Sequence, residues 1–263
     1  MLALIAGTGA LPRELVARLS HPPLVCAMQG SEPDQVPAQL TFRIENLGSF
    51  LAELQARGVT DVCLAGAVRR PALDPSALDA ATLPLIPILQ KALTSGDDNA
   101  LRAIMGLLEG QGFAVRAAHD IAPDLLMTAG VPTSRQPTDA DRADVIRAEE
   151  IVAAMAAADT GQACAVRGGQ VLAMETVFGT DWMLGTLEQR PDGSSGGVLY
   201  KAPKAGQDLR ADLPTIGPET VEMTARAGLN GIVVQAGQVI VLDQEAVITA
   251  CDRFDMFLWL RKG

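Results

Sequence analysis

The sequence predicts an α/β protein: a mostly parallel sheet in the N-terminal half, and a second α/β domain built with hairpins. Three observations carry this expectation. From Met1 to Ile121 short apolar runs alternate with amphipathic stretches, the rhythm that buries a parallel sheet beneath helices. Beyond Thr138, β-type runs pair around glycines, as hairpins do. Between these halves "AGVPTSRQPT", Ala129 to Thr138, breaks all periodicity with two prolines, a glycine and small polar residues. Domains are therefore expected at 1–131 and 132–263.

Each element has a local reason. "LALIAG" is apolar throughout and reads as a buried strand, followed by turn and helix in "TGALPRELVARL". "PLVCAM" is a second strand and "TFRIE" a third. "LGSFLAELQARG" has helical spacing and ends on Gly58, which suits a helix C-terminus. "VTDVCLAG" is a fourth strand. "GDDNALRAIMGLLEGQG" opens a helix with Asp97 and Asp98 in a first turn, where acids complement the macrodipole. "FAVRAAHDI" reads as a fifth strand, with His119 and Asp120 at its end. After the boundary, "DADRADVIRAEEIVAAMAAAD" is a helix whose Thr138 and Asp141 have capping-box spacing. "ACAVRGGQVLAME" and "GIVVQAGQVIVLD" read as hairpins around Gly168-Gly169 and Ala236-Gly237. Their shared Gly-Gln-Val raises an internal duplication beside the plainer reading that hairpins look alike.

Composition excludes several functions. A formal net charge of −10 argues against general attraction to nucleic acid or an anionic membrane surface. With two Trp, one Tyr and six Phe, the core is expected to be aliphatic. Cys26, Cys63, Cys164 and Cys251 form no CxxC pair and lie in apolar runs, so buried reduced thiols are expected rather than a zinc site. The first residues lack a charged leader segment, and no apolar run reaches the roughly 20 residues of a spanning helix. A cytoplasmic protein is expected.

Chemistry-bearing residues gather in two places. In "AGTGALP", Gly7 and Gly9 fit a tight strand-to-helix turn whose amides can approach an anion, or a turn with no ligand. A dinucleotide fingerprint would place glycine where Pro12 stands, and an acid where Gln29 and Gly30 follow the second strand; both disfavour a nicotinamide oxidoreductase. In "LAGAVRRP", Arg69 and Arg70 follow a strand's carboxyl end, where ligands of open sheets collect; a solvated basic turn is the alternative.

The second gathering is denser. "METVFGTDWML" places Glu175 at a strand end and Thr180 and Asp181 at a helix start. "KAPKAGQDLRADLPTIGPETVE" places Lys201 and Lys204 after a strand, Asp208 and Asp212 in a loop, and Thr215 and Gly217 before a helix. Pro218 suits its first position, since proline's missing N–H would lack an intrahelical partner there anyway. Carboxylates bind Mg²⁺ while leaving room for water and phosphate oxygens, and lysines and helix amides neutralise charge on a transferred phosphoryl group. Alone, these residues predict magnesium-assisted chemistry on a phosphate ester in a cleft between two α/β domains. A non-catalytic nucleotide-sugar binding protein is the alternative.

Read together, "LIAGTGALP", "AGAVRRP", "GDDNALR", "GFAVRAAHDIAPDLL", "FGTDWML" and above all "KAPKAGQDLRADLPTIGPETVE" resemble the LpxI-type UDP-2,3-diacylglucosamine pyrophosphatases, in order and over nearly the whole chain. The stretch from Leu73 to Leu93 carries no clear match. The resemblance implies an N-terminal Rossmann-like domain and a C-terminal α/β domain holding the acylated product between them. It implies Mg²⁺-dependent hydrolysis in lipid A biosynthesis to 2,3-diacylglucosamine 1-phosphate (lipid X) and UMP, water attacking the β-phosphorus. On the matching positions Asp212 becomes the metal ligand or water-positioning group, with Asp208 and Asp181 as secondary candidates. Lys201 and Lys204 would hold pyrophosphate oxygens, and the amides near Thr215 and Gly217 would add donors. Gly7, Gly9, Arg69 and Arg70 would meet the nucleotide or sugar phosphate. An acylated nucleotide-sugar is thus the expected partner; transient contact with the inner-membrane surface and a homodimer stay open.

Overall fold

A computed structural model describes residues 1–191, 193–210 and 213–262, leaving aside the side chain of Asp97. The chain forms two compact units. The first comprises Met1–Pro123 together with a short piece beginning at Asp208; the second comprises Asp124–Gln207 and the chain from Leu213 onward.

The first unit is built on five parallel strands, β1 (Leu2–Ala6), β2 (Leu24–Met28), β3 (Leu40–Phe42), β4 (Asp61–Ala65) and β5 (Ala114–Arg116), ordered β3-β2-β1-β4-β5. This is the order of the first five strands of a Rossmann sheet, reversing direction between β1 and β4. The connecting helices are α1 (Leu11–Arg18), α2 (Leu47–Ala56), α3 (Ile86–Thr94), α4 (Asp97–Gly110) and the single turn α5 (Ala118–Ile121). Their aliphatic faces, including Leu51, Leu54, Leu89, Met105 and Leu108, close over Ala3, Cys26 and Val62 of the sheet.

Two expectations change here, and one unassigned stretch gains a helix. The third strand stops at Phe42, because Ile44–Asn46 turn as a 3-10 helix and buried Glu45 accepts from Arg43 Nε (3.0 Å) and Asp74 N (2.9 Å). The fifth strand stops at Arg116. His119 and Asp120 instead lie in α5, where Asp120 Oδ2 accepts from Ala117 N (3.2 Å) and turns the chain. Helix α3 falls in the stretch that carried no clear sequence signal.

In the second unit α6 (Asp139–Ala157) precedes the hairpin β6 (Ala163–Arg167) and β7 (Gln170–Met174). Then come α7 (Gly179–Leu187), β8 (Val198–Lys201), β9 (Thr215–Ile216), α8 (Pro218–Arg226), β10 (Gly231–Gln235), β11 (Ile240–Val241), α9 (Gln244–Arg253) and β12 (Phe257–Arg261). The main sheet runs β12-β10-β8-β6-β7, parallel across β12, β10 and β8 and antiparallel across β8, β6 and β7. The expected second hairpin is absent. Strand β10 has β8 on one side and β12 on the other, so no edge remains for β11, which pairs in parallel with β9. The two Gly-Gln-Val segments thus sit in different structures, which removes the reason to infer a duplication. The capping box of α6 is present: Asp141 N donates to Thr138 Oγ1 (3.2 Å) and Thr138 N donates to Asp141 Oδ2 (2.9 Å).

All four cysteines are buried and unpaired, and burial pushes each thiol up to about 12. No described helix is long and apolar enough to cross a membrane.

Candidate active site

One ammonium group ties together two of the motifs found in the sequence. Lys201 is the last residue of β8, at the carboxyl end of a parallel strand, and is only 8% exposed. Its Nζ donates to Thr180 Oγ1 (2.9 Å) at the start of α7 and to the Thr215 carbonyl oxygen (3.0 Å) in β9. Thr180 in turn donates to Glu175 Oε1 (2.5 Å), and Glu175 Oε2 accepts from Gln162 N (2.7 Å). Glu175 and Thr180 are each 7% exposed. "FGTDWML" and two parts of "KAPKAGQDLRADLPTIGPETVE", at Lys201 and Thr215, therefore meet at Nζ. An ammonium has three N–H donors; two are used here, leaving one for an incoming acceptor.

The other members of the dense motif are more dispersed. Lys204 does not stand open: its Nζ bonds Asp159 Oδ1 at 2.5 Å, with the lysine side chain 11% exposed. Asp208 is held by Arg210, which donates through its backbone N (3.1 Å) and Nε (3.0 Å) to Oδ1 and through Nη2 (2.8 Å) to Oδ2. The guanidinium beside it keeps the Asp208 carboxyl below the usual carboxylate range. Arg210 also reaches Glu109 of α4 (2.5 Å). Asp212, the residue on which the sequence reading places most weight, lies outside the described residues.

Metal binding can be judged on Asp208. Among the described residues no three His, Cys, Asp or Glu side chains are grouped to hold an ion. A carboxylate offers about four lone-pair directions. Arg210 occupies three, so at most one direction on Asp208 is open to a metal ion.

The donors before α8 are committed locally. Gly217 N donates to Thr220 Oγ1 (3.2 Å), and the Thr215 hydroxyl donates to the Leu213 carbonyl (3.1 Å). Thr215 serves instead through its carbonyl, as the acceptor for Lys201. Asp181 is exposed in the first turn of α7.

In the first unit the glycine turn lies at the switch point between β1 and β4. Gly7 is needed for packing alone: a Cβ there would lie 2.2 Å from the Ala67 oxygen. Gly7 N donates to Ala65 O (2.8 Å) and Thr8 N to Ala67 O (2.9 Å), pinning the turn to the segment after β4. Gly9 has φ 96°, and its N–H is taken by Asp34 Oδ2 (3.0 Å). Sequence reading missed Asp34, because its search for an acid stopped at Gln29 and Gly30. A phosphate on the Gly9 amide must first displace this carboxylate. Arg69 is exposed, with its N–H on Ser31 Oγ (3.1 Å), whereas Arg70 Nη1 bonds the Leu93 carbonyl (3.0 Å) at the end of α3. A basic group on a helix's last carbonyls is a structural use of arginine.

Comparison with known proteins adds identity to this geometry. Residues 1–125 match the family described as the LpxI N-terminal domain, and residues 128–259 the LpxI C-terminal domain. A protein of Caulobacter vibrioides named UDP-2,3-diacylglucosamine pyrophosphatase LpxI is 37% identical over 269 residues, covering 98% of this chain and 96% of its own.

Proposed function

Since the chain belongs to the LpxI family, we propose that it hydrolyses the pyrophosphate of UDP-2,3-diacylglucosamine to 2,3-diacylglucosamine 1-phosphate and UMP, a cytoplasmic step of lipid A synthesis. The observation that carries this reading is the near-full-length likeness to a relative named for acting on that substrate.

The chain's own residues support it in detail. The Lys201 ammonium, held by two hydrogen bonds, keeps its third N–H for a pyrophosphate oxygen. Such a preorganised donor stabilises charge that grows during P–O cleavage. Water adds to the β-phosphorus, the bond from that phosphorus to the bridging oxygen breaks, and UMP departs carrying that oxygen. Asp212, from its place in the matching motif, orients the water or would hold a magnesium ion, with Asp208 four residues earlier in the same motif. Magnesium, when bound, would neutralise pyrophosphate charge.

The substrate's two acyl chains also give a reason for contact with the inner-membrane surface. Val177 is 76% exposed, Phe178 68%, Trp182 52% and Met174 49%, and the Phe178 and Trp182 rings touch at 5.1 Å. Aromatic side chains of this kind favour the headgroup level of a bilayer.

The test is UMP release from UDP-2,3-diacylglucosamine, with Mg²⁺ and then with EDTA, run in ¹⁸O-water. Metal-dependent release with the label in the lipid phosphate is expected, and Asp212→Ala should lower turnover at least a hundredfold. Binding without release would leave a nucleotide-sugar binding protein; label in UMP would move the attack to the other phosphorus.

A further inference from the structure

We propose that Glu175 is a positioning residue: through the Thr180 hydroxyl it fixes where the Lys201 ammonium points, and so where that ammonium meets a phosphate oxygen. The inference rests on Lys201 being a phosphate-binding group, as argued above.

The reasoning starts from donor and acceptor counts. An ammonium can only donate and an ionised carboxylate can only accept, while a threonine hydroxyl has one proton to give. Placed between them, the Thr180 hydroxyl has one satisfied orientation: proton to Glu175 Oε1, lone pair to Lys201 Nζ. The carboxylate is itself fixed, since Oε2 accepts from Gln162 N across the β6–β7 hairpin. The Thr215 carbonyl fixes a second N–H of Lys201. With two of three tetrahedral directions set, the third follows.

A neutral amide at position 175 fills the same space but loses this determinacy. Its single oxygen can serve Gln162 N or Thr180, not both, and its NH₂ then meets another donor. With the oxygen on Gln162 N the hydroxyl must reverse and its proton competes with the Lys201 N–H; with the oxygen on Thr180 the Gln162 N–H faces the NH₂ and loses its acceptor. Burying an ionised carboxylate carries a desolvation penalty that a neutral tie between β7 and α7 would avoid. That penalty is understandable if the charge orders the lysine.

The experiment compares Glu175→Gln, Thr180→Val, the double variant and Thr180→Ser, in kcat/KM for UMP release and in thermal midpoint. E175Q and T180V should each lose about tenfold or more. The double variant should lose no more than the worse single, because both break one chain of contacts. T180S, which restores the hydroxyl, should return to within about threefold of wild type. Full activity in folded E175Q, or losses that multiply in the double variant, would overturn the proposal. If E175Q fails to fold, T180V against T180S decides alone. The coupling is also read without turnover, from the ¹⁵N-ammonium resonance of Lys201. A shift in both E175Q and T180V supports the chain of bonds; an unmoved resonance refutes it even if the proposed reaction fails.

Discussion

Replacing Lys201 by methionine tests whether the junction organises the second unit. Methionine keeps the length and much of the apolar stem while deleting the charge. The variant loses the bonds to Thr180 Oγ1 (2.9 Å) and the Thr215 carbonyl (3.0 Å). A hydrogen bond to a charged group contributes about 1.5–3 kcal/mol. Two are lost at a buried group, so the expected loss is about 3–5 kcal/mol. At about 2–4 °C per kcal/mol for a chain of this size, the thermal midpoint should fall by roughly 10 °C. The control is Lys204→Met, whose pair with Asp159 is more open, with side chains 11% and 23% exposed; its loss should be about 1–2 kcal/mol. Both are read by urea denaturation followed by far-ultraviolet circular dichroism. Equal losses in the two variants, or K201M within about 1 kcal/mol of wild type, would refute the reasoning.

Three further outcomes follow from the same geometry. Asp208's folded-state pKa is depressed by Arg210, so its contribution is present above the unfolded value, about 3.9, and disappears as pH falls through the folded one. Arg210→Gln should therefore cost about 0.5–1 kcal/mol at pH 6, the pair being partly exposed, and nothing once both states are protonated; denaturation curves at the two pH values check the sign. Gly7→Ala should destabilise more than Gly9→Ala. The first drives a Cβ into backbone at 2.2 Å, whereas the second meets nothing within 4 Å and bears only the strain of φ 96°, about 1–2 kcal/mol. Finally, serine at both Phe178 and Trp182 should reduce flotation with zwitterionic phospholipid vesicles several-fold while leaving the thermal midpoint unchanged. Equal flotation would remove this patch as the point of membrane contact.

The central strands of the first sheet were legible because they are largely buried and read as unbroken aliphatic runs, as "LALIAG" and "PLVCAM" do. Thr138 and Asp141 announced α6 because a capping box is a local device. What escaped depends on distant partners. "GIVVQAGQVIVLD" has hairpin punctuation, yet β10 was claimed on both sides by β8 and β12, and nothing within the segment records that. Helix α3 hides among prolines at 84 and 87 that read as breakers, although both sit at helix starts, where proline is tolerated. At the site, the sequence placed Lys201 and Thr215 in one motif and Thr180 in another, but could not show that the Lys201 nitrogen joins both threonines and reaches Glu175 through Thr180. Nor could it show that Lys204, Gly9 and Gly217 already have partners: Asp159 and Asp34 lie outside the chemistry-bearing motifs, and Thr220, inside one, carries no mark of the bond it makes.

The piece of chain beginning at Asp208 has a bearing on how this protein can change over time. By sequence it lies inside the C-terminal family region, which spans residues 128–259, yet by packing it belongs to the first unit, where Arg210 grips Glu109. The chain therefore passes from one unit to the other three times. A recombination event between the two family regions would deliver an N-terminal half whose residue 109 had been selected beside someone else's loop. Grafts that carry the loop with the first unit should tolerate exchange between distant relatives, and grafts cut once, between Pro123 and Asp124, should not.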